Sequence, residues 1–272
     1  MLVLIPAIGI GAGIAEHLAS KGCSVALGYT SPSSEEKART LSSRLSDDYN
    51  VSVIPIQADL GTPEGGSQLV SNAKECFSKN GKFQIDIIVN NAGMATFAPV
   101  EKVRIEDFHT IYNTNVLGPL LVVQAAFPYL PTDRSGRIVN ISSIAANMAT
   151  RNQSVYAGSK AALDSMTRTW ACDLAERTTV NSINPGPVVT DMYNSAGQDY
   201  LDQLRPWVQN TPLSAVTEER DGKEAVERLP LTGGRAATIE EIAKIVGMIC
   251  SEESGWCTGS MINANGGMIP SL

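Results

Sequence analysis

Short runs of apolar residues alternate with longer amphipathic stretches along most of the chain. Runs that are apolar at nearly every position are typical of strands covered on both faces of a sheet. Stretches with apolar residues every three or four positions are typical of helices that pack on such a sheet. The pattern predicts strands at residues 2–5, 24–29, 51–57, 84–89, 136–141, 179–183 and 260–264, and helices at 12–21, 33–46, 66–79, 104–129, 155–177 and 239–251.

The alternation of strands and helices indicates the fold class. Strands that are joined through helices pair in parallel, and their crossover connections are right-handed. We therefore expect an α/β fold, a doubly wound parallel sheet (Rossmann-like) of about seven strands with helices on both faces. The 272 residues contain no linker-like break in composition, so a single domain, residues 1–272, is predicted.

One stretch, residues 192–235, departs from the alternation. It is rich in Pro, Gln and charged residues, with the sequence TEERDGKE near its middle. A stretch of this length without regular structure is usually a functional loop. We predict a substrate lid with an inserted segment around residues 214–229. Met192, Tyr193 and Trp207 would contact a substrate, unless Trp207 packs the lid against the core.

The composition excludes several classes of function. The chain has 21 Lys and Arg against 28 Asp and Glu, so a basic surface for nucleic acid or anionic lipid is not expected. No apolar run approaches the ~18 residues that a membrane span needs. Two histidines and five scattered cysteines do not form a zinc motif, and no metal site is predicted; the cysteines are Cys23, Cys76, Cys172, Cys250 and Cys257.

The apolar start of the chain invites comparison with a secretory signal peptide. No Lys or Arg precedes Lys21, whereas a signal peptide begins with a positively charged region. Scattered thiols are also typical of a reducing compartment. We therefore expect a cytoplasmic protein.

Three glycines, Gly9, Gly11 and Gly13, lie between the first predicted strand and the first predicted helix. Glycines at such a turn let the backbone approach a pyrophosphate, whose charge is stabilised at the helix N-terminus. The motif does not match GxGxxG, because Ile14 occupies the position of the third glycine. A tight turn at a helix start would explain the same glycines, so this motif alone does not establish a dinucleotide site.

A more specific pattern lies in the second half of the chain. Tyr156 and Lys160 are four residues apart at the start of a predicted helix, which places them on the same face. Ser143 directly follows the strand predicted at 136–141. Ligands bind beyond the carboxyl ends of the strands in a doubly wound sheet, so this hydroxyl and this phenol can converge on one substrate atom.

Together these features resemble the short-chain dehydrogenases/reductases, and the resemblance covers nearly the whole chain. The markers occur in the order typical of that family. They are GIG at residues 9–11, ADL at 58–60, NNAG at 90–93, Asn115 within NTNVLG, Ser143, the Tyr156/Lys160 pair, and NPGPVVTD at 184–191. The local composition is most similar to the reductases that act on β-ketoacyl and polyketide-type carbonyls.

The resemblance implies roles for four catalytic residues. Tyr156 would be the general acid that protonates the carbonyl oxygen while hydride reaches the carbon. Lys160 would favour the tyrosinate through its charge and hydrogen-bond the nicotinamide ribose. Ser143 would hold the carbonyl oxygen, and Asn115 would anchor a water that leads to the lysine. For Asn115, a helix-interior side chain bonded to backbone remains the alternative.

The resemblance also implies a set of cofactor-binding residues. The glycine turn would hold the phosphates, the ADL and NNAG segments would hold the adenine and ribose, and the NPGPVVTD segment would frame the nicotinamide. The residues implied are Gly9, Ile10, Gly11, Tyr29, Thr30, Ser31, Asp59, Leu60, Asn91, Ala92, Gly93, Tyr156, Lys160, Pro185, Gly186, Val189 and Thr190.

The residues after the second strand favour NADPH/NADP over NAD. An acidic residue about 20 positions after the glycine turn would bind the ribose 2′-hydroxyl and select NAD. Here the strand ends in GYTS, and the first carboxylate is Glu35. The hydroxyls of Thr30, Ser31 and Ser33 are instead suited to a 2′-phosphate. Neither the glycine turn nor the segment just after Tyr29 contains an Arg that could also bind the 2′-phosphate.

The first turn departs from the family pattern TGxxxGxG. Alignment on Gly9 and Gly11 places Leu4 where Thr is expected and Ile5 where the first Gly is expected. Because Ile is β-branched and avoids positive φ, we expect a reshaped turn in which Pro6 sets φ differently. An altered gene boundary before Gly9 and weakened cofactor binding are alternative explanations.

We therefore predict an NADPH-dependent oxidoreductase that transfers hydride to a carbonyl of a hydrophobic substrate of the ketoacyl, aromatic or polyketide-like kind. Two alternatives follow from the Leu4–Ile5 change: a reductase-fold pseudoenzyme, and an enzyme that uses the pocket for non-redox chemistry. The expected partner is a small-molecule carbonyl compound, with no nucleic acid and no membrane. By resemblance, the chain would form a homo-oligomer, a tetramer or a dimer, through the helices predicted at 104–129 and 155–177.

Overall fold

A parallel sheet of seven strands runs through the computed structural model, which describes residues 1–195 and 197–270. The strands are β1 (Leu2–Pro6), β2 (Ser24–Tyr29), β3 (Val53–Gln57), β4 (Ile87–Asn90), β5 (Gly136–Ile141), β6 (Thr178–Pro185) and β7 (Met261–Ala264). Their spatial order is β3-β2-β1-β4-β5-β6-β7, and every neighbouring pair is parallel. The prediction of a doubly wound, Rossmann-like α/β fold is confirmed.

Helices connect the strands and cover the sheet. They are α1 (Ile10–Ser20), α2 (Pro32–Tyr49), α3 (Gly65–Phe77), α4 (Ile105–Tyr112), α5 (Gly118–Ala126), α6 (Ser154–Asp173), α7 (Asp191–Asn194), α8 (Gln198–Gln209), α9 (Glu218–Thr232) and α10 (Ile239–Cys250). Short 3₁₀ turns occupy Val100–Lys102, Phe127–Tyr129, Ile144–Ala146, Pro212–Ser214 and Glu252–Ser254.

Two apolar cores lie on the two faces of the sheet. Successive residues of a strand point to opposite faces, and all four residues Leu2 to Ile5 of β1 are buried. Val3 and Ile5 pack with α1 and α10, whereas Leu2 and Leu4 pack with residues of α3 and α5. The near-continuous apolar character of β1 follows from this burial on both sides.

The structure places the two residues that depart from the family pattern inside the first strand. Leu4 and Ile5 are interior residues of β1, each about 1% exposed, and Ile5 pairs with Leu27 of β2. The strand continues to Pro6, and the left-handed conformation falls on Gly9, with φ of 56°. The β-branched side chain at position 5 therefore stands where extended backbone suits it.

The helix predicted at 104–129 is interrupted. A π-helical turn, Asn113–Leu117, separates α4 from α5, and a 3₁₀ turn follows α5. Pro119 in the first turn of α5 has no N–H to donate, which is compatible with a helix start rather than a helix interior. Other predicted elements differ from the observed bounds by up to four residues, as for α6, which ends at Asp173.

The prediction that residues 192–235 lack regular structure is wrong. Within the described part of that stretch, α8 and α9 carry most of the residues. Leu204 and Val208 of α8 are buried in a third apolar cluster, which we call the lid cluster. Its buried members come from α8, from the loop after β5 and from the end of the chain: Ile144, Met148, Leu204, Val208 and Met268.

Within residues 1–195 and 197–270, no helix has both the length and the apolar character that a membrane crossing requires. All five cysteines are free thiols, of which Cys23 and Cys250 are buried. The same residues contain no cluster of His, Cys, Asp and Glu side chains that could hold a metal ion.

Candidate functional site

A cavity of about 680 Å³ opens at the carboxyl ends of the strands, around the point where the strand order reverses between β1 and β4. Ligands bind at this position in doubly wound sheets. Most of the predicted site residues line the cavity, namely Gly9, Ile10, Thr30, Asp59, Leu60, Asn91, Ala92, Gly93, Ser143, Tyr156, Lys160, Pro185, Gly186, Val189 and Thr190. Gly11, Tyr29, Ser31 and Asn115 do not line it.

The turn after β1 presents backbone to this cavity. A Cβ atom added at Gly9 would meet no atom within 4 Å, so the space there is open to a ligand. Gly11 is packed instead, because an added Cβ would lie 2.3 Å from the carbonyl oxygen of Pro6. Helix α1 begins at Ile10, and its positive dipole end lies at the cavity. The residues present therefore fit the pyrophosphate of a dinucleotide.

Hydroxyl groups lie at the end of the cavity beside β2. Thr30 and Ser34 line it. The Ser31 hydroxyl is engaged with the hydroxyls of Ser33 at 2.7 Å and Ser34 at 3.3 Å. Tyr29 is buried and lines a smaller cavity next to β1 and β2. This end of the site therefore offers neutral hydrogen-bonding groups at the beginning of α2.

Two carboxylates near these hydroxyls differ in position. Glu35 pairs with Arg39 at 2.7 Å across one turn of α2 and does not line the cavity. Asp59 lines the cavity, and its Oδ1 accepts a hydrogen bond from the Gly61 backbone N–H at 2.9 Å. Asp59 is thus available to a ligand at the position implied for adenine, whereas Glu35 is held by its arginine.

Ser143, Tyr156 and Lys160 meet on one wall of the cavity. Ser143 lies two residues beyond β5, its Oγ accepts a hydrogen bond from the Ala145 N–H at 3.1 Å, and its hydroxyl hydrogen-bonds the Tyr156 phenol. Tyr156 and Lys160 are one turn apart on α6, with the Lys160 Nζ 5.8 Å from the centre of the tyrosine ring. The Nζ donates a hydrogen bond to the Ile141 carbonyl at 2.8 Å, which fixes its position.

Burial shifts the proton affinity of both groups. It raises the pKa of Tyr156 to about 12, while the hydrogen bond with Ser143 acts in the opposite direction. It lowers the pKa of Lys160 to about 8, and the charge of Asp164 opposes that decrease. The expectation that Lys160 favours the tyrosinate stays a prediction. Desolvation of the phenol outweighs the other influences, and the ammonium is directed at a carbonyl.

A buried carboxylate lies one helical turn beyond Lys160. Asp164 is 4% exposed, and its two oxygens accept hydrogen bonds from the Ser182 hydroxyl and the Asn184 amide, both at 2.9 Å. Ser182 and Asn184 belong to β6, which ends at Pro185 beside the cavity. These hydrogen bonds connect α6, which carries Tyr156 and Lys160, to β6.

Asn115 lies in the π-helical turn and is completely buried. Its Oδ1 accepts a hydrogen bond from the Met94 N–H at 2.8 Å, and its Nδ2 donates to the Met94 carbonyl at 2.9 Å. The same Nδ2 donates to the Ser159 hydroxyl at 3.0 Å, and Ser159 donates to the Tyr156 carbonyl at 2.7 Å. Asn115 therefore holds the segment after β4 against the first turn of α6, a role closer to the backbone-bonding alternative.

The end of β6 and the segment after it form another part of the cavity wall. Pro185, Gly186, Val189 and Thr190 all line the cavity, and Val189 is 43% exposed. The Thr190 hydroxyl accepts a hydrogen bond from the Tyr193 N–H at 3.3 Å and caps α7. This wall therefore leads directly into α7, the first part of the stretch predicted as a lid.

Sequence reasoning missed several residues on the substrate side. Gln153, which is buried, and Tyr200 of α8 both line the cavity and hydrogen-bond each other. Phe97 lies against Tyr200, with ring centres 5.2 Å apart. The position of Gln153, three residues before Tyr156, could have indicated that it lies near the site. Nothing local in the sequence connects Phe97 with Tyr200.

The lid residues that were expected to contact a substrate separate into two groups. Met192 and Tyr193 line the cavity. Trp207 does not line it and is 45% exposed. The inward positions of α8 are taken by Leu204 and Val208, and Trp207 is not a member of that cluster.

Comparisons with known proteins agree with this geometry. A family model described as short chain dehydrogenase matches residues 1–201. L-xylulose reductase of Aspergillus niger is 44% identical, over 96% of this chain and 93% of that protein. L-xylo-3-hexulose reductase of Hypocrea jecorina is also 44% identical, over 97% of this chain and 94% of that protein.

Among solved structures, the angucycline C-6 ketoreductase LanV with bound NADP matches with a TM-score of 0.82 and 27% identity. The match covers 98% of this chain and 95% of that one. The relatives match over nearly their full lengths, and the family model covers the glycine turn, Ser143, Tyr156 and Lys160. The chain therefore belongs to the short-chain dehydrogenase/reductase family of oxidoreductases.

Proposed function

We propose that the protein is an NADPH-dependent carbonyl reductase. One observation carries the proposal: the Tyr156 phenol and the Ser143 hydroxyl share a wall of a cavity whose other end reaches the N-terminus of α1. A volume of about 680 Å³ accommodates a dinucleotide and a small substrate together. Leu4 and Ile5, which motivated the non-redox alternatives, are interior to β1 and do not line this cavity.

The side chains that follow β2 favour NADPH over NADH as the cofactor. Thr30 and Ser34 present hydroxyls to the cavity, and Ser31 and Ser33 lie next to them. The nearest carboxylate after β2, Glu35, is paired with an arginine outside the lining. The NADP bound in the ketoreductase LanV supports the same choice.

The chain's own residues would supply the proton and hold the carbonyl, while bound NADPH supplies the hydride. Ser143 would donate a hydrogen bond to the substrate oxygen and polarise the carbonyl. A pKa of about 12 keeps Tyr156 protonated at neutral pH, which is the form that donates a proton to the oxygen. Lys160, with a pKa of about 8, is mostly cationic at pH 7 and would stabilise the resulting tyrosinate.

The residues around the substrate end favour a hydrophobic ketone as the first candidate. Phe97, Ile144, Met192 and Leu204 line this end of the cavity. They suit an aromatic, ketoacyl or polyketide-like compound, because apolar contact area provides most of the affinity for such ligands. A sugar carbonyl is the second candidate, and the names of the two fungal reductases with 44% identity favour it.

Fluorescence titration with NADPH, with NADH as the comparison, tests the cofactor assignment. No binding at millimolar NADPH would reject the proposal. Oxidation of NADPH in the presence of aromatic ketones and ketose sugars tests the reaction. Tyr156→Phe should abolish turnover while leaving the NADPH dissociation constant within about twofold. Unchanged turnover in that variant would show that another group donates the proton.

A further inference from the structure

Three polar side chains line the substrate side of the cavity and have no part in the reduction described above. Gln153 is 4% exposed and directly precedes α6, and its side chain makes no capping hydrogen bond to the helix. Tyr200 reaches the cavity from α8 and is hydrogen-bonded to the Gln153 side chain. Thr150 completes the group, and its hydroxyl is buried without a hydrogen-bond partner in the part of the chain that the structure describes.

The surroundings of these groups are apolar. Tyr200 packs on the lid cluster, which includes Ile144 and Leu204, and its ring lies against Phe97 at 5.2 Å. A polar group in such surroundings is costly unless it is hydrogen-bonded. A Gln amide has two N–H donors and two oxygen lone pairs, and the bond with Tyr200 uses one of these positions. The cluster therefore has hydrogen-bonding capacity left for a ligand oxygen.

The position of the cluster relative to the catalytic tyrosine defines what it can bind. Gln153 stands just before α6, three residues ahead of Tyr156, and both side chains line the same cavity. Tyr200 is also close enough to Tyr156 for its charge to influence the Tyr156 phenol. A substrate whose carbonyl oxygen contacts Tyr156 therefore lies in the cavity that Gln153 and Tyr200 also line.

We propose that Gln153, Tyr200 and Thr150 form a subsite for a second oxygen of the substrate, which makes the enzyme selective for hydroxyketones over plain ketones. This inference rests on the proposed reductase function and narrows its substrate class. Gln153 and Tyr200 hydrogen-bond the hydroxyl, and Phe97 holds the Tyr200 ring in place. Both substrate candidates meet this requirement, since a sugar and a phenolic polyketide each carry hydroxyls near the carbonyl.

A matched pair of ketones, 2-hydroxy-1-indanone and 1-indanone, tests the subsite. We expect kcat/KM to favour the hydroxyketone by about tenfold or more, because a site built to hydrogen-bond a hydroxyl discriminates against the analogue that lacks it. Gln153→Leu should reduce this preference by about tenfold, and Tyr200→Phe should reduce it less. Gln209→Leu, at an exposed position of α8 outside the cavity, is the control and should retain the preference.

The outcomes separate this inference from the proposed function. Equal kcat/KM for the two ketones, or a preference that survives Gln153→Leu, would overturn the subsite while leaving the reductase function intact. Absence of NADPH oxidation with both indanones, and also with the aromatic ketones and ketose sugars named above, would contradict the reductase function. Calorimetric titration of the two ketones into the protein then still tests the subsite. Preferential binding of the hydroxyketone that disappears in Gln153→Leu supports it, and equal binding overturns it.

Discussion

The Lys160→Met variant tests how much the buried charge of Lys160 lowers the free energy of unfolding. Lys160 is 4% exposed, and burial lowers its pKa from 10.5 to about 8. A decrease of this size corresponds to about 3 kcal/mol against the charged form in the folded state. Methionine has a similar length and no charge, so it fits the same space without this penalty.

The direction of the pH dependence follows from proton linkage. Because the folded-state pKa of Lys160 is depressed, the unfolded state binds more protons between pH 8 and 10.5, and stability rises with pH in this window. Below about pH 8 both states are protonated and the full penalty is present. Lys160→Met removes this contribution. The unsubstituted protein should therefore gain about 2 kcal/mol relative to the variant between pH 7 and 9.5.

Urea denaturation of both proteins in the absence of cofactor, at several pH values from 7 to 9.5, measures this difference. Loss of the hydrogen bond from Lys160 to the Ile141 carbonyl costs the variant about 1–3 kcal/mol and shifts its absolute stability without creating the predicted slope. Lys37→Met, at an exposed lysine, is the control and should give a curve parallel to that of the unsubstituted protein. A parallel curve for Lys160→Met would refute the reasoning.

Three other substitutions test the turn, the packing and the buried carboxylate. Gly11→Ala should weaken NADPH binding in a fluorescence titration, because the added Cβ would lie 2.3 Å from the Pro6 carbonyl oxygen; unaltered affinity would contradict the importance of this close contact. Gly66→Ala should lower the free energy of unfolding by about 1–3 kcal/mol in urea, since its Cβ would lie 2.6 Å from the Leu121 carbonyl carbon. Asp164→Asn should move the alkaline limit of the reductase pH profile to lower pH, because the carboxylate supports the charge of the catalytic lysine; an unchanged limit would show that this support is negligible.

The central part of the site was predictable because local spacing determines it. Tyr156 and Lys160 share a face of α6 because they are four residues apart, whatever the rest of the molecule looks like. Ser143 follows a strand that is recognisable in the sequence by its apolar residues. The parallel sheet places the ends of such strands along one edge. The catalytic role predicted for Asn115 stays a prediction, and its bonds to Met94 depend on the π-helical turn, which the sequence did not reveal.

The lid was harder to predict because its helices contain residues that usually end helices. Pro206 lies inside α8, and α9 contains Pro230 and a kink at Gly222, where φ is 81°. The apolar spacing of Leu204 and Val208 is present in the sequence but is obscured by these residues. The pairing of Gln153 with Tyr200 depends on how α8 packs against the loop after β5, and no local pattern encodes that contact.

The lid cluster has a consequence for how this enzyme can diversify. Its buried members come from α8, the loop after β5 and the residue Met268, and none of them belongs to the two cores that flank the sheet. Mutations in the lid cluster can therefore change the shape of the cavity near α8 without altering the two cores that pack on the sheet. New substrate preferences become accessible to natural or laboratory evolution without first eroding the nucleotide-binding framework.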